Sequence, residues 1–297
     1  MIFRPPGPPQ STPIEMLNVL EIIKRTTEFL AGRGIASPRL NAELLVGHAL
    51  GRKRMQLYLE FERPLTEVEL ERIRPLVRRR AHHEPLQYVV GDTEFCGLKL
   101  KTDRRALIPR PETEQLVELV LAWCAVNQPA EHILDLGTGT GAIALALGRA
   151  LPAAQVVAVE RSAEALALAG ENAAASNLGE RMTFVCSDWF SALPATRFDV
   201  IVANPPYLAP EETAATAREV REYEPLAALT GGVNGLGDLE VIIQDAPAYL
   251  RAGGLLALET GITQHPHLLG ALRQAGFSHA GGRCDLAGRD RFILAVL

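Results

Sequence analysis

Ile133-Leu134-Asp135-Leu136-Gly137-Thr138-Gly139-Thr140-Gly141-Ala142 passes from a short apolar stretch into a loop with glycine at every second position. Apolar runs of this length bounded by glycine read as buried strands, and the alanine that follows opens a helical pattern. The alternation continues downstream. It predicts strand 133–136, helix 142–150, strand 155–159, helix 163–175, strands 182–186 and 198–203, helix 237–250 and strand 254–259. Strands alternating with helices of this length predict an α/β doubly wound sheet, whose ligands sit at the carboxyl ends of the strands.

The first such end is the glycine loop itself. Gly137, Gly139 and Gly141 let backbone approach a ligand closely, with Thr138 and Thr140 between them, and the helix that follows offers free N–H groups. The string Gly137-x-Gly139-x-x-Ala142 also satisfies the relaxed dinucleotide fingerprint. Asp135 separates the two readings. A carboxylate at the mouth of the loop repels a pyrophosphate and attracts the α-ammonium of S-adenosylmethionine, a preference of about 1–4 kcal/mol in a partly exposed site. Glu160 ends the second strand, 19 residues past Gly141, where an acid can accept both ribose hydroxyl protons. Asp188-Trp189 follows the third strand, where a carboxylate can bind the adenine amino group and an indole can cover the ring.

The strand Phe198 to Ala203 delivers Asn204-Pro205-Pro206-Tyr207 to the topological switch beside the first strand. A residue followed by two prolines is held extended, and Asn204 adds a side-chain carbonyl. Such a loop can grip a planar NH2 group. An amide or aromatic amine has a delocalised lone pair, so it attacks a methyl sulfonium poorly until it is aligned and polarised. The Asn204 side-chain oxygen and the Pro205 carbonyl can each accept one N–H, with Tyr207 packing on the substrate plane. Asn204, Pro205, Pro206 and Tyr207 are therefore the candidate catalytic residues, and no metal is required.

Beyond the glycine loop and Asn204-Pro205-Pro206-Tyr207, the chain carries Ile108-Pro109-Arg110-Pro111-Glu112-Thr113-Glu114, Tyr223-Glu224-Pro225, Glu259-x-Gly261 with Gln264, and Asp285-Leu286-Ala287-Gly288-Arg289-Asp290-Arg291. In this set it resembles the bacterial protein-(glutamine-N5) methyltransferases that modify peptide chain release factors, over nearly everything after Pro13. The resemblance implies a seven-stranded class I methyltransferase sheet behind a helical amino-terminal domain, and as substrate the glutamine of a Gly-Gly-Gln loop in a class 1 release factor. It implies that Gly137 to Gly141, Glu160, Trp189 and Asn204 bind the donor, and that Asn204 to Tyr207 bind the glutamine amide. Glu160 stands where many relatives have Asp, and Thr260 where His or Ile is more usual; the longer acid still reaches ribose hydroxyls.

Working toward the amino terminus, residues 1–13 read as a flexible arm, too proline-rich for a signal peptide. Residues 14–84 read as a helical substrate-recognition domain, 85–107 as a β-hairpin linker, and 108–297 as the methyltransferase domain. Thr12-Pro13-Ile14-Glu15 resembles a capping box that starts the first helix, Ser37-Pro38 starts a second carrying Leu40, Leu44 and Leu45 inward, and Thr66-Glu67-Val68-Glu69 caps a third that Pro75 should kink. The hairpin is expected to pair 86–90 with 95–100 around Gly91-Asp92. Ile108 to Glu114 should open a helix through about Trp123, its first turn occupied by Pro111 and acids.

Charge and cysteine usage narrow the partners. Residues 1–90 hold 14 Lys and Arg against 10 Glu, a net of +4, and residues 91–297 hold 16 against 25 acids, a net of −9. An acidic catalytic half is a poor grip for long nucleic acid, so no stable nucleic-acid binding is expected, and a monomer acting on a protein partner is. The basic run Arg78-Arg79-Arg80 reads as a solvated helix face. Cys96, Cys124, Cys186 and Cys284 form no C-x-x-C pair, which fits reduced thiols and a cytoplasmic location and gives neither zinc knuckle nor disulfide framework. No apolar run reaches membrane-spanning length. The rival reading is an adenine-N6 nucleic acid methyltransferase, since an exocyclic amine poses the same chemical problem. Only about thirty weakly basic residues follow Tyr207 before the next helix, too few for a DNA-reading domain.

Overall fold

The computed structural model describes residues 17–127 and 129–297, and the chain divides into two compact units between Val90 and Gly91. The first contains α1 (Val19–Ala31), α2 (Pro38–Leu50), α3 (Arg54–Leu59), α4 (Glu67–Ala81) and α5 (Leu86–Val90). The Thr12 to Glu15 capping box lies outside the described residues. Asn18, in extended backbone, caps α1 instead: its side chain accepts from Glu21 N, and the Glu21 carboxylate accepts from Asn18 N, both at 2.9 Å. Val19, Ile23 and Leu30 then face inward.

Two expectations for this unit are corrected. On α2 the inward stripe is Ala42, Leu45 and Val46, whereas Leu40 and Leu44 are exposed. At 100° per residue, 40 and 44 share a face turned away from that stripe. Among the inward residues is Glu43, whose carboxylate accepts from Arg39 (2.9 Å), Arg54 (2.6 Å) and Tyr58 (2.9 Å). The second correction concerns Leu86–Val90, which forms α5 and not a strand. Val89 N reaches Pro85 O at 3.0 Å, and the Arg79 guanidinium donates to the Tyr88 and Val89 carbonyls. A cation on the last carbonyls stabilises a helix end and here overrides the β preference of the side chains. Of the basic run, Arg78 and Arg79 are exposed, Arg79 also holding those carbonyls, and Arg80 is buried. The Thr66–Glu69 box is present, and α4 continues through Pro75 to Ala81.

The second unit opens with a hairpin, β1 (Asp92–Phe95) and β2 (Leu98–Lys101), which turns at Cys96-Gly97 and not at Gly91-Asp92. Both turn residues have positive φ, 47° and 69°, as a tight two-residue hairpin needs; Gly97 supplies this readily, and Cys96 gives no sequence signal for it. The hairpin belongs to this unit. Asn172 accepts from Lys101 N (2.7 Å) and donates to the carbonyls of Lys101 (3.2 Å) and Thr140 (2.9 Å), tying β2 to the glycine loop.

After α6 (Pro111–Val126) come β3 (His132–Leu136), α7 (Ala142–Ala150), β4 (Gln155–Glu160), α8 (Ala163–Ala175), β5 (Met182–Cys186), β6 (Phe198–Ala203), α9 (Pro210–Ala215), α10 (Arg218–Tyr223), α11 (Gly237–Tyr249), β7 (Leu250–Glu259), α12 (His265–Gln274), β8 (His279–Cys284) and β9 (Asp290–Val296). The seven-stranded sheet has the order β5-β4-β3-β6-β7-β9-β8, with β9 antiparallel to both neighbours. This is the doubly wound arrangement expected, with the order reversing at β3 and β6. Successive strand residues serve opposite layers. Ile133, Val200, Val202 and Leu255 pack with Leu116 and Leu145 on one side, while Leu134, Ile201, Leu256 and Ile293 pack with Ile242 and Leu268 on the other. Burial of both faces is why these strands read as unbroken apolar runs.

Candidate active site

The glycine loop leaves β3 with Gly137, Gly139 and Gly141 all left-handed, at φ 72°, 53° and 84°. Gly137 N and Thr138 N both donate to Val159 O at 2.9 Å, which folds the loop back onto β4. A Cβ on Gly137 would stand 3.3 Å from the Trp189 ring, so the indole lies directly on the loop backbone. Glu160, half-buried at the end of β4, accepts from Gly139 N (3.1 Å) and Ser162 N (3.0 Å). Each oxygen retains a lone pair for a further donor.

Asp135 is not at the mouth of the loop. It lies beneath, fully buried, where Oδ2 accepts from the Thr138 hydroxyl (2.5 Å) and Ala144 N (3.1 Å). Its Oδ1 is buried and has no hydrogen-bond partner among the described residues. Burial pushes this carboxyl up to about 7, against the opposing pull of those two donors. A carboxylate at the end of a parallel strand can point across the loop or under it, and the strand register does not decide which.

A cavity open to solvent gathers Gly137, Gly139, Glu160, Asp188, Trp189, Asn204 and Pro206 on one wall. Arg105, Ala106 and Leu107 and the segment Pro225 to Ala228 contribute the other. Those two segments are joined by Glu224, which accepts from Ile108 N (3.1 Å) and from Arg110 Nη2 (2.6 Å). Sequence periodicity gave no role to this second wall. Its only signal was the presence of Ile108-Pro109-Arg110 and Tyr223-Glu224-Pro225 among the family motifs.

The other expected residues lie behind the lining. Thr138 binds Asp135, Thr140 O receives Asn172, and a Cβ on Gly141 would meet Ala169 and Leu145 at 3.3 Å. Pro205 is buried, and Tyr207 turns its phenol away from the cavity to donate to Glu259 Oε1 at 3.0 Å. Trp189 sits at a left-handed φ of 46°, with Nε1 donating to Asp238 Oδ1 at 3.2 Å. A non-glycine residue at such a φ is uncommon and clusters at functional sites.

Asn204 stands at the end of β6, and its Nδ2 donates to Thr113 Oγ1 at 3.0 Å. Thr113 in turn donates to Glu259 Oε2 at 2.7 Å. Glu259, at the end of β7, is 1% exposed; burial raises its pKa, while Thr113, Tyr207 and nearby Arg291 pull the other way. Arg291 Nη1 donates to the Tyr207 hydroxyl (3.3 Å). The loop backbone is fixed as well: Gln264 Nε2 donates to Tyr207 O (2.9 Å) and Gly235 O (3.0 Å), and a Cβ on Gly231 would fall 2.2 Å from Pro206 O.

Comparison with known proteins shows the family of the chain. Residues 21–91 match the family model described as PrmC N-terminal domain, and residues 117–222 match the methyltransferase small domain. The release factor glutamine methyltransferase of Geobacter sulfurreducens is 43% identical over 94% of this chain and 96% of its own. That of Salmonella typhimurium is 41% identical over 86% and 91%. Among solved structures, the hMettl16 catalytic domain in complex with MAT2A 3'UTR hairpin 6 superposes with a TM-score of 0.54 at 20% identity, over 74% of this chain and 81% of that one, a likeness of fold alone. With 40% identity or more to several such enzymes sustained over nearly its whole length, the chain belongs to the release factor glutamine methyltransferase family.

Proposed function

We propose that this chain methylates the side-chain amide nitrogen, N5, of the glutamine in the Gly-Gly-Gln motif of class 1 peptide chain release factors, with S-adenosylmethionine as methyl donor. The observation that carries the reading is that Glu160 and Asn204 wall one and the same cavity, so that a ribose-binding acid and an amide-binding carbonyl address a common ligand space. The residues present fit the donor. Glu160 has lone pairs to spare for two hydroxyls, Trp189 offers a ring face over the glycine loop, and Asp188 is an exposed acceptor beside it. When bound, S-adenosylmethionine supplies an electrophilic sulfonium methyl group.

The work of this chain is to make an amide nitrogen nucleophilic. Asn204 Oδ1 and the Pro205 carbonyl accept the two N–H bonds of the glutamine amide, turning its lone pair into line. They also stabilise the positive charge that develops on nitrogen as the new C–N bond forms. The methylated nitrogen then gives up one of its two protons to solvent. Pro205 and Pro206 keep the loop extended, so it does not turn into a helix. Tyr207 anchors the loop through Glu259, a different role from stacking on the substrate.

The test is incubation with labelled donor and either a purified class 1 release factor or single-stranded DNA, with the methyl located by mass spectrometry. Label on the Gly-Gly-Gln glutamine is expected. Label on DNA alone overturns the reading in favour of the adenine alternative.

A further inference from the structure

We infer that Thr113 and Glu259 are positioning residues that set which end of the Asn204 amide faces the cavity: Glu259 takes the Thr113 proton, and Thr113 then accepts the Asn204 NH2 and so turns Oδ1 outward. The inference rests on the reading of Asn204 as the acceptor for the substrate amide, and it follows from counting protons.

The oxygen and nitrogen of an asparagine side chain are nearly the same size, so packing alone hardly distinguishes one orientation from its flip; the hydrogen-bond network must. Each Glu259 oxygen faces a hydroxyl, and Thr113, Tyr207 and nearby Arg291 oppose the effect of burial and favour the carboxylate, which can only accept. Two hydroxyls point at it, Thr113 at 2.7 Å and Tyr207 at 3.0 Å, and each must spend its single proton there. Thr113 Oγ1 then has nothing left but lone pairs to offer Asn204 at 3.0 Å. An Asn204 amide rotated by 180° would set oxygen against oxygen at that distance with no proton between them. Among the described residues Asn204 Oδ1 makes no hydrogen bond of its own, which leaves it available on the cavity side.

The same logic holds at the other end of the tetrapeptide. Arg291 Nη1 donates to the Tyr207 hydroxyl, so the phenolic proton is directed to Glu259 and not elsewhere. Tyr207 donates to Glu259 directly and Asn204 is linked to it through Thr113, so one buried carboxylate fixes the polarity at both ends of the loop. Thr113 stands in the first turn of α6 and Glu259 at the end of β7, so the polarity is imposed by rigid elements and not by the loop itself.

The test is a double-mutant cycle on the full chain, with kcat measured per donor-binding site and donor affinity measured by calorimetry on the same preparations. Thr113→Val keeps the shape and removes the hydroxyl. It is expected to lower kcat by about 10- to 100-fold, the range that small misplacement of a catalytic group produces, with donor affinity little changed. Thr113→Ser, which keeps the hydroxyl, should restore most of the rate. Asn204→Ala should be slower still, and Thr113→Val in that background should cost almost nothing more, because there is no amide left to orient. Thr113→Ala serves where the valine variant fails to fold. Wild-type kcat in Thr113→Val, or a full multiplicative loss in the double variant, overturns the inference while leaving Asn204 in its role. Wild-type kcat in Asn204→Ala removes the reading of Asn204 itself, and the inference with it.

Discussion

Arg110 and Glu224 form an ion pair at 2.6 Å in which the carboxylate side chain is 1% exposed and the guanidinium 32%. The same carboxylate holds the backbone N–H of Ile108, so one side chain joins the segment entering α6 to the segment leaving α10. Those segments supply the second wall of the cavity. Glu224→Ala is expected to cost about 1–3 kcal/mol of stability, since a buried N–H and a partly buried cation lose their partner. It should also weaken donor binding more than it lowers kcat at saturation. Urea unfolding and calorimetry on the variant check both effects; an unchanged donor affinity would show that the second wall plays no part in holding the donor.

Asn204→Ala is expected to lower single-turnover kcat by about 10²–10³, because it deletes an acceptor whose value appears only as charge develops on the substrate nitrogen. Donor affinity should fall only modestly. Rapid-quench measurement with saturating donor and release factor separates this chemical defect from one in binding.

Glu160→Ala should show the opposite balance. The loss of ribose contacts is expected to weaken donor binding by about 1–3 kcal/mol, and it also strips Gly139 N and Ser162 N of their acceptor. Titration calorimetry with S-adenosylmethionine decides the point, and unaltered affinity would take Glu160 out of the donor site.

Asp135 gives a pH dependence of definite sign. Its carboxyl is raised from an ordinary 3.8 to about 7, so between those values the folded chain keeps a proton that the unfolded chain has released. Stability from this group is therefore full below about pH 4 and is lost as pH rises to about 7. Unfolding free energies at pH 5 and pH 8 should differ in that direction, and Asp135→Asn should flatten the difference.

How far the chain could be read beforehand depended on how local the determining contacts are. The helices 142–150 and 163–175 and the strands 182–186 and 198–203 agree to the residue with the sequence reading, as local patterns allow: Gly141 opens the first helix, and Asn204-Pro205 ends the last of these strands. The last strands were missed by pattern. The β8 sequence His-Ala-Gly-Gly-Arg-Cys has almost no β-forming side chains and is held by its pairing with β9. The hairpin went wrong where a distant Arg79 capped α5 and where Cys96 took up a left-handed turn. At the site, the expectation that Glu160, Trp189 and Asn204 stand at or just after strand ends agrees with the structure, which brings all three to one cavity. The direction of Asp135 was not legible, nor was the Thr113–Glu259 bond, which joins residues 146 apart in the chain and leaves no periodic trace.

The placement of Trp189 has a practical optical consequence. The chain has two tryptophans, and the other, Trp123, packs on α6 against the core and away from the cavity lining. Replacing Trp123 with phenylalanine leaves one indole, stacked on the glycine loop, whose emission responds to whatever enters beside it. The protein thus carries a built-in fluorophore for timing ligand arrival on the millisecond scale, without dye or radiolabel.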